Sequence, residues 1–158
     1  MSLLSLRVER RGEMKPPYRV PTMKQIVKVP WNHMTVASTF SGCGGSSLGY
    51  RMAGFKVVYA NEFVEAARDT YMANASSDTV LDASDIRDVS GQAVLAAIGL
   101  GVGELDVLDG SPPCASFSMA GRRNRHWGEV VKYSETQQRV DDLFFEFARL
   151  VGGARPRV

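Results

Sequence analysis

Four short, mostly apolar runs alternate along this chain with stretches in which apolar side chains recur every three or four positions. The runs are Val36–Phe40, Lys56–Ala60, Thr79–Leu81 and Leu105–Leu108, the last bounded by an Asp109-Gly110 turn signal. Runs of this length between turn residues read as strands buried on both sides. Between them, Leu48–Ala53 stops at Gly54, and Phe63–Ala73 and Val89–Ile98 follow at helical period. Strand and helix in strict alternation predict an α/β fold, a parallel sheet with helices on both faces. Farther on, Ser134 and Gln137 have capping-box spacing, and Val140, Leu143, Phe144, Phe147, Ala148 and Val151 recur on one side of a helix. That Phe-rich stripe is expected to face the core, with Gly152-Gly153 ending the helix and Arg155–Val158 beginning another strand.

Ahead of the first strand the pattern is lost. Residues 1–33 carry Pro16-Pro17, Pro21 and Pro30 in a basic, aperiodic stretch, and are expected to form a loose, disordered arm before a domain over residues 34–158. The arm holds seven Lys or Arg against two Glu, a local +5, which leaves −3 for the domain in a chain of net charge +2. Its basic side chains suit either contact with phosphates or a solvated tail, and Met14 and Met23 offer alternative starts. At 158 residues, 44% hydrophobic and 23% charged, the chain suits one soluble domain. No apolar run approaches the roughly 18 residues of a membrane span, so no membrane partner is expected and the cytoplasm is the default setting. The two cysteines, Cys43 and Cys114, lie 71 positions apart in different motifs, which suits neither a disulfide framework nor a metal site.

Candidate chemistry collects after the strands, where open α/β sheets hold their ligands. The first strand leads into Ser41-Gly42-Cys43-Gly44-Gly45-Ser46-Ser47. Glycines let the backbone approach a ligand closely, and the helix that follows offers unpaired N–H groups, so this loop suggests a nucleotide cradle. The dinucleotide fingerprint asks for a third glycine where Ser47 stands. The pattern therefore suits the amino-acid end of S-adenosylmethionine better than NAD. After the second strand, Asn61-Glu62-Phe63 puts an acid at the tip, 17 residues beyond Gly45. A carboxylate there can accept from both ribose hydroxyls, or it can serve as a first-turn helix acid. Phe63 suits the core or one wall of an adenine slot. After the third strand, Asp85 can accept an adenine amine while the Ile86 N–H meets a ring nitrogen, or Asp85 or Asp88 can cap the helix over Val89–Ile98.

The fourth strand leads to Ser111-Pro112-Pro113-Cys114. Two prolines stiffen this turn and remove two donors, which fixes the direction in which the thiol leaves it. An isolated cysteine is commonly a small buried hydrophobe, whereas one at the rigid end of a strand is a candidate nucleophile. Residues 115–133 then form a long irregular segment with Arg122, Arg123, Arg125, His126, Trp127 and Lys132 and no acid before Glu129. Basic side chains around one Trp suit a nucleic-acid backbone and a displaced base, with a solvated loop as the alternative.

With Thr39-Phe-Ser-Gly-Cys-Gly-Gly, Asn61-Glu-Phe, Asp85-Ile and Ser111-Pro-Pro-Cys followed by Phe117-Ser118 in this order, residues 36–158 resemble the cytosine-C5 DNA methyltransferases. The resemblance implies a Rossmann-like, S-adenosylmethionine-dependent methyltransferase fold. It assigns Phe40, Ser41, Gly42, Cys43, Gly44, Gly45, Glu62, Phe63, Asp85, Ile86, Ser111, Pro112 and Pro113 to the S-adenosyl-L-methionine pocket. Cys114 would be the catalytic nucleophile toward a flipped cytosine. Residues 115–133 would close over double-stranded DNA, with Ser116, Ser118, Arg122, Arg123, Arg125 and Trp127 at the nucleic acid. The product would be cytosine methylated at carbon 5, as in restriction-modification, in a prokaryotic or phage cytoplasm and with no metal. Ala115 stands where the family commonly has Gln.

The family's Glu-Asn-Val stretch, later arginine motif, target-recognition region and final helix are not among these residues. The fold is therefore expected to be incomplete and the chain to be a truncated, split or decayed portion, inactive alone, with a second polypeptide supplying the C-terminal half. A noncatalytic cofactor- or partner-binding fragment, an RNA cytosine methyltransferase and an NAD-binding oxidoreductase domain are the other readings.

Overall fold

The computed structural model describes residue 19, residues 21–113, the backbone of residues 131–133 and 136–138, and residues 142–158. Its centre is a parallel sheet of β1 (Thr35–Thr39), β2 (Lys56–Asn61), β3 (Val80–Asp82) and β4 (Val107–Gly110), in the order β3-β2-β1-β4. β1 is flanked on both sides, and its Val36 and Ala37 are wholly buried. Its polar Ser38 and Thr39 are buried as well, so the strand shows no alternation of buried and exposed positions. The chain steps outward from β1 through β2 to β3, then crosses back to place β4 on the other side of β1. The strand order thus reverses between β1 and β4, the switch point at which such sheets hold ligands.

The connecting helices are α2 (Gly45–Met52), α3 (Glu65–Asn74) and α4 (Gly91–Ala97), with a 3-10 turn at Ile86–Asp88 and a four-residue α1 (Met23–Ile26) ahead of the sheet. A further helix, α5 (Leu143–Ala154), packs against α4 and the 3-10 turn. Together they bury Leu95, Leu105, Leu143 and Leu150 in one apolar cluster with Ala37, Tyr59 and Leu108 of the sheet. On the other side α2 packs on β1 and β2, and the Tyr71 hydroxyl of α3 donates to Ser47 Oγ of α2 at 3.0 Å. Beyond β4, Arg157 and Val158 donate to Leu105 and Asp106 carbonyls at 3.0 and 2.9 Å, and Leu108 N–H donates to Val158 O at 3.0 Å. The expected additional strand thus starts as a parallel neighbour of β4.

Several expectations need correction. β4 does not stop at a turn, because Asp109 and Gly110 belong to the strand, where Gly110 pairs with Thr39. Residues 22–33 are not a loose arm. Thr22 N–H donates to Gln25 Oε1 at 2.8 Å to open α1, Ile26 is buried, and Asn32 bonds to the Ala53 and Gly54 carbonyls. Gln137 does not belong to a helix start, since it lies in β6 (Thr136–Gln138), antiparallel to β5 (Val131–Tyr133), and Ser134 lies outside the described residues. Val131, Tyr133 and Thr136 favour strand more strongly than a two-residue capping signal favours helix. Gly152 and Gly153 sit inside α5, which closes at Arg155 in a left-handed conformation with φ 48°.

The face of α5 was also misjudged. Leu143, Leu150 and Ala154 are buried with Phe147 partly covered, whereas Phe144 and Phe145 are 53% and 60% exposed. Their rings instead meet edge-on, 6.0 Å apart. Val151 and Ala148 also lie toward solvent.

Two acids staple the sheet and set its behaviour in acid. Asp106 Oδ2 accepts from the Thr35 N–H at 2.8 Å and from its hydroxyl at 3.0 Å, while Oδ1 accepts from Arg157 at 2.9 Å. The Thr35 N–H above all holds its carboxyl below the usual carboxylate range. Burial alone would raise Asp82, but the Tyr59 hydroxyl, at 2.6 Å, and Ser84 outweigh it and leave Asp82 lowered as well. A lowered folded pKa means stability that is complete above the unfolded value of about 3.9 and is lost as pH falls through the folded one. The thermal midpoint should therefore hold level from neutrality to about pH 5 and drop below about pH 4. In an Asp106→Asn chain the neutral midpoint should be lower and the acid limb shallower. An acid limb of unaltered steepness would remove Asp106 from this account.

Candidate functional site

The loop after β1 is shaped by three left-handed residues. Phe40 has φ 52°, Gly42 φ 54° and Gly44 φ 91°. Glycine accepts this conformation freely, but for Phe40 it is strained, and the surrounding packing must hold it there. Ser41 supplies part of that hold. Its N–H donates to Asn61 O at 3.0 Å, and its hydroxyl is shared between Ser38 O and Asn61 O at 2.9 and 3.1 Å. The ends of β1 and β2 are thereby locked together. Gly44 caps α2, and a Cβ there would stand 3.0 Å from the Tyr71 ring.

Glu62 is the hinge between this loop and the tip of β2. Its side chain is buried, with Oε2 accepting from the Gly42 N–H and Oε1 from the Val64 N–H, each at 2.8 Å. Glu62 stands ahead of the α3 N-cap, Val64, and the first-turn acid of that helix is Glu65, so Glu62 is not a first-turn helix acid; its two oxygens instead anchor the loop and the tip of β2. Asn61 Nδ2 reaches Ser84 O at 2.9 Å and Arg68 reaches Phe63 O at 2.6 Å, so the tips of β2 and β3 are also fixed to each other. Asp85 precedes the 3-10 turn and caps it by accepting from the Arg87 N–H at 3.0 Å, whereas α4, the helix it was expected to cap, is capped by Ser90. The Arg87 guanidinium lies against it and forks onto Asp142 at the start of α5. The Asp142 hydrogen bond, followed by the two carboxylate charges, raises the Arg87 pKa against partial burial.

These strand tips enclose a cavity of about 320 Å³. Phe40 and Gly42 line it from β1, Glu62 and Phe63 from β2, Asp85 and Ile86 from β3, and Ser111 and Pro113 from β4. Asn61, Val64, Ala67 and Leu143 line it as well and were not singled out from the sequence. Val64 and Ala67 carry a signal, an i, i+3 pair on the helix turn after Glu62, whereas Leu143 was taken for core. Ser41 lies beneath the loop. Cys43, Gly44 and Gly45 border a separate recess of about 180 Å³ beside Tyr71. Pro112 is not on the cavity wall. Cys114 and the expected DNA contacts Ser116, Ser118, Arg122, Arg123, Arg125 and Trp127 lie outside the described residues. Among the described residues no cluster of His, Cys, Asp and Glu could hold a metal ion, and no helix is long and apolar enough to cross a membrane.

A parallel sheet with this order, a glycine loop after β1 and a ligand-sized cavity at its switch point define a Rossmann-like α/β domain. Residues 34–158 match a family profile described as C-5 cytosine-specific DNA methylase, and the chain belongs to that family. It is similar to the Type II methyltransferase M.Bsp6I of Bacillus sp. (strain RFL6), with 35% identity over 126 residues, 79% of this chain and 34% of that protein. It is likewise similar to M.NgoPII of Neisseria gonorrhoeae, with 30% identity over 131 residues, 80% of this chain and 32% of that protein. Among solved structures it superposes on a protein described as a DNA modification methyltransferase encoded within an E. coli prophage. That match has TM-score 0.57 at 25% identity and covers 78% of this chain and 30% of the other. The chain thus spans about a third of the length of these curated relatives.

Proposed function

We propose that this chain holds S-adenosylmethionine and presents Cys114 for methyl transfer to carbon 5 of cytosine in double-stranded DNA. Target reading and completion of the pocket would come from residues beyond this sequence, on the same polypeptide or a second one. The observation that carries the reading is that Pro113, one peptide bond from Cys114, lines the same cavity as Glu62 and Asp85. Consecutive Cα atoms are about 3.8 Å apart, so the nucleophile and the cofactor end of the sheet are neighbours by covalent geometry.

The lining fits an adenosyl sulfonium and opposes a dinucleotide. It contains two carboxylates and no Lys or Arg among the described residues, which favours a cation over a diphosphate. The Gly42 N–H, of the kind that meets pyrophosphate in dinucleotide sites, is already given to Glu62. Phe63, Ile86 and Leu143 supply the apolar wall that a purine needs.

Bound S-adenosylmethionine supplies an electrophilic methyl group on its sulfonium. Carbon 5 of cytosine is too weak a nucleophile to take it unaided, and Cys114 removes that obstacle by adding as thiolate to carbon 6. The ring electrons would then lie at carbon 5 as an enamine, which would take the methyl group as its bond to the sulfonium sulfur breaks and S-adenosylhomocysteine leaves. Loss of the carbon-5 proton to a base and expulsion of the Cys114 thiolate restore the aromatic ring. The base must leave the helical stack for the thiolate to reach it.

Calorimetric titration of the 158-residue chain with S-adenosylhomocysteine, using NADH as control, tests the cofactor assignment. Saturable binding of the first ligand alone is expected. In Glu62→Ala, which deletes both backbone anchors of the loop together with the ribose acceptor, affinity should fall by about 1.5–3 kcal/mol. Binding of NADH, or an affinity untouched by Glu62→Ala, would overturn the assignment.

A further inference from the structure

Arg87 stands behind the cavity wall rather than on it. Its Nη1 donates to Asp85 Oδ1 and Oδ2 at 3.1 and 3.0 Å, and its Nε and Nη2 donate to Asp142 Oδ2 and Oδ1 at 3.1 and 2.8 Å. Asp85 belongs to the loop after β3, and Asp142, 55 residues beyond Arg87, stands next to Leu143, which also lines the cavity. A planar guanidinium that forks onto a carboxylate fixes its orientation, which a Lys ammonium does not. Arg149 of α5 adds a second tie, donating from Nη2 to Ile86 O at 3.0 Å. Two walls contributed by distant parts of the chain are therefore held together by side chains that do not line the cavity.

The grip also determines what Asp85 can still accept. Among the described residues, Oδ1 already receives the Arg87 N–H at 3.0 Å and Nη1, whereas Oδ2 receives Nη1 alone. A carboxylate oxygen has two lone-pair directions, so Oδ2 keeps one for the cavity that Asp85 lines. One acceptor suits a ligand edge that offers one N–H and opposes an edge that presents a carbonyl oxygen.

We propose that Arg87 is a positioning residue which, by clamping Asp85 to Asp142, makes the site select a 6-amino purine over a 6-oxo purine. This rests on the cofactor reading above and adds to it a residue that touches no ligand. The pair of ligands that reads it is S-adenosylhomocysteine and S-inosylhomocysteine, which differ at the 6-substituent and in the proton that N1 carries in the oxo form. Calorimetry on the full chain gives their affinity ratio. In Arg87→Met the adenosyl ligand should weaken about tenfold and the inosyl ligand less than about threefold, collapsing the ratio. Arg87→Lys should recover part of the ratio. Asp142→Asn should lower it as well, although Asp142 does not line the cavity.

A purely structural role for Arg87 would weaken both ligands alike and leave the ratio at its wild-type value. That outcome, or a ratio that rises, overturns the proposal while the cofactor reading stands. Failure of the wild-type chain to bind S-adenosylhomocysteine would bring down the cofactor reading, and this proposal with it.

Discussion

Changing Gly91 to alanine is expected to lower the stability of the chain by about 3 kcal/mol or more, at or beyond the upper end of ordinary overpacking. Gly91 opens α4 where α5 crosses it. A Cβ there would stand 2.5 Å from Ala154 N, 2.7 Å from Gly153 C and 2.8 Å from Leu150 O. All three are backbone atoms, so no rotamer change can relieve the contact, and the helices would have to separate. Separation would expose Leu150, which is wholly buried, and shift Leu143 on the cavity wall. With a net stability of about 5–15 kcal/mol typical of a domain, the variant should show a much lower urea midpoint. Gly152→Ala is the control, since nothing lies within 4 Å of its Cβ position inside the same helix. It should stabilise by about 0.5–1 kcal/mol. Equal midpoints for the two variants would refute the close crossing.

Cys114→Ser is expected to abolish covalent trapping on DNA with 5-fluorocytosine at the target position, in the enzyme completed by the residues this chain does not contain. Fluorine at carbon 5 cannot leave as a proton does, so the wild-type thiolate stays bonded to carbon 6 and the complex survives denaturing electrophoresis. A serine hydroxyl is almost wholly protonated near neutrality and is too poor a nucleophile to add. Affinity for S-adenosylhomocysteine should stay within about twofold, because the change leaves Pro113 and the carboxylates of the cavity in place. A trapped adduct with the serine variant would transfer the nucleophile's role to another residue.

The sheet and the strand-end residues were legible because both follow from local patterns. A strand buried on both sides shows no alternation of buried and exposed positions, and glycine or charged residues at its end then stand out. Gly42, Glu62, Phe63, Asp85 and Ile86, which line the cavity, stand out in this way, and Phe40 only through the family resemblance. What the pattern hides is pairing at a distance. Nothing near Gly91 announces Gly153, and nothing near Arg87 announces Asp142. The facing of α5 failed for a related reason. Phe144, Phe145 and Phe147 make either side of the helix look apolar, and the side turned inward is decided by the close approach at Gly91 and by Leu150. Asp85 shows a different limit. Capping and cavity lining were weighed as rivals, yet one carboxylate with two oxygens does both.

Glu62 holds the N–H groups of Gly42 and Val64 with bonds the chain makes for itself. The torsional freedom of the turn between β1 and α2 is therefore surrendered during folding, at roughly 1–2 kcal/mol per residue fixed, rather than at association. A molecule entering between the strand tips forfeits mainly its own translational and internal entropy. The loop then acts as a rigid receptor, and discrimination among ligands depends on their shape and charge more than on how far the protein can adapt to them.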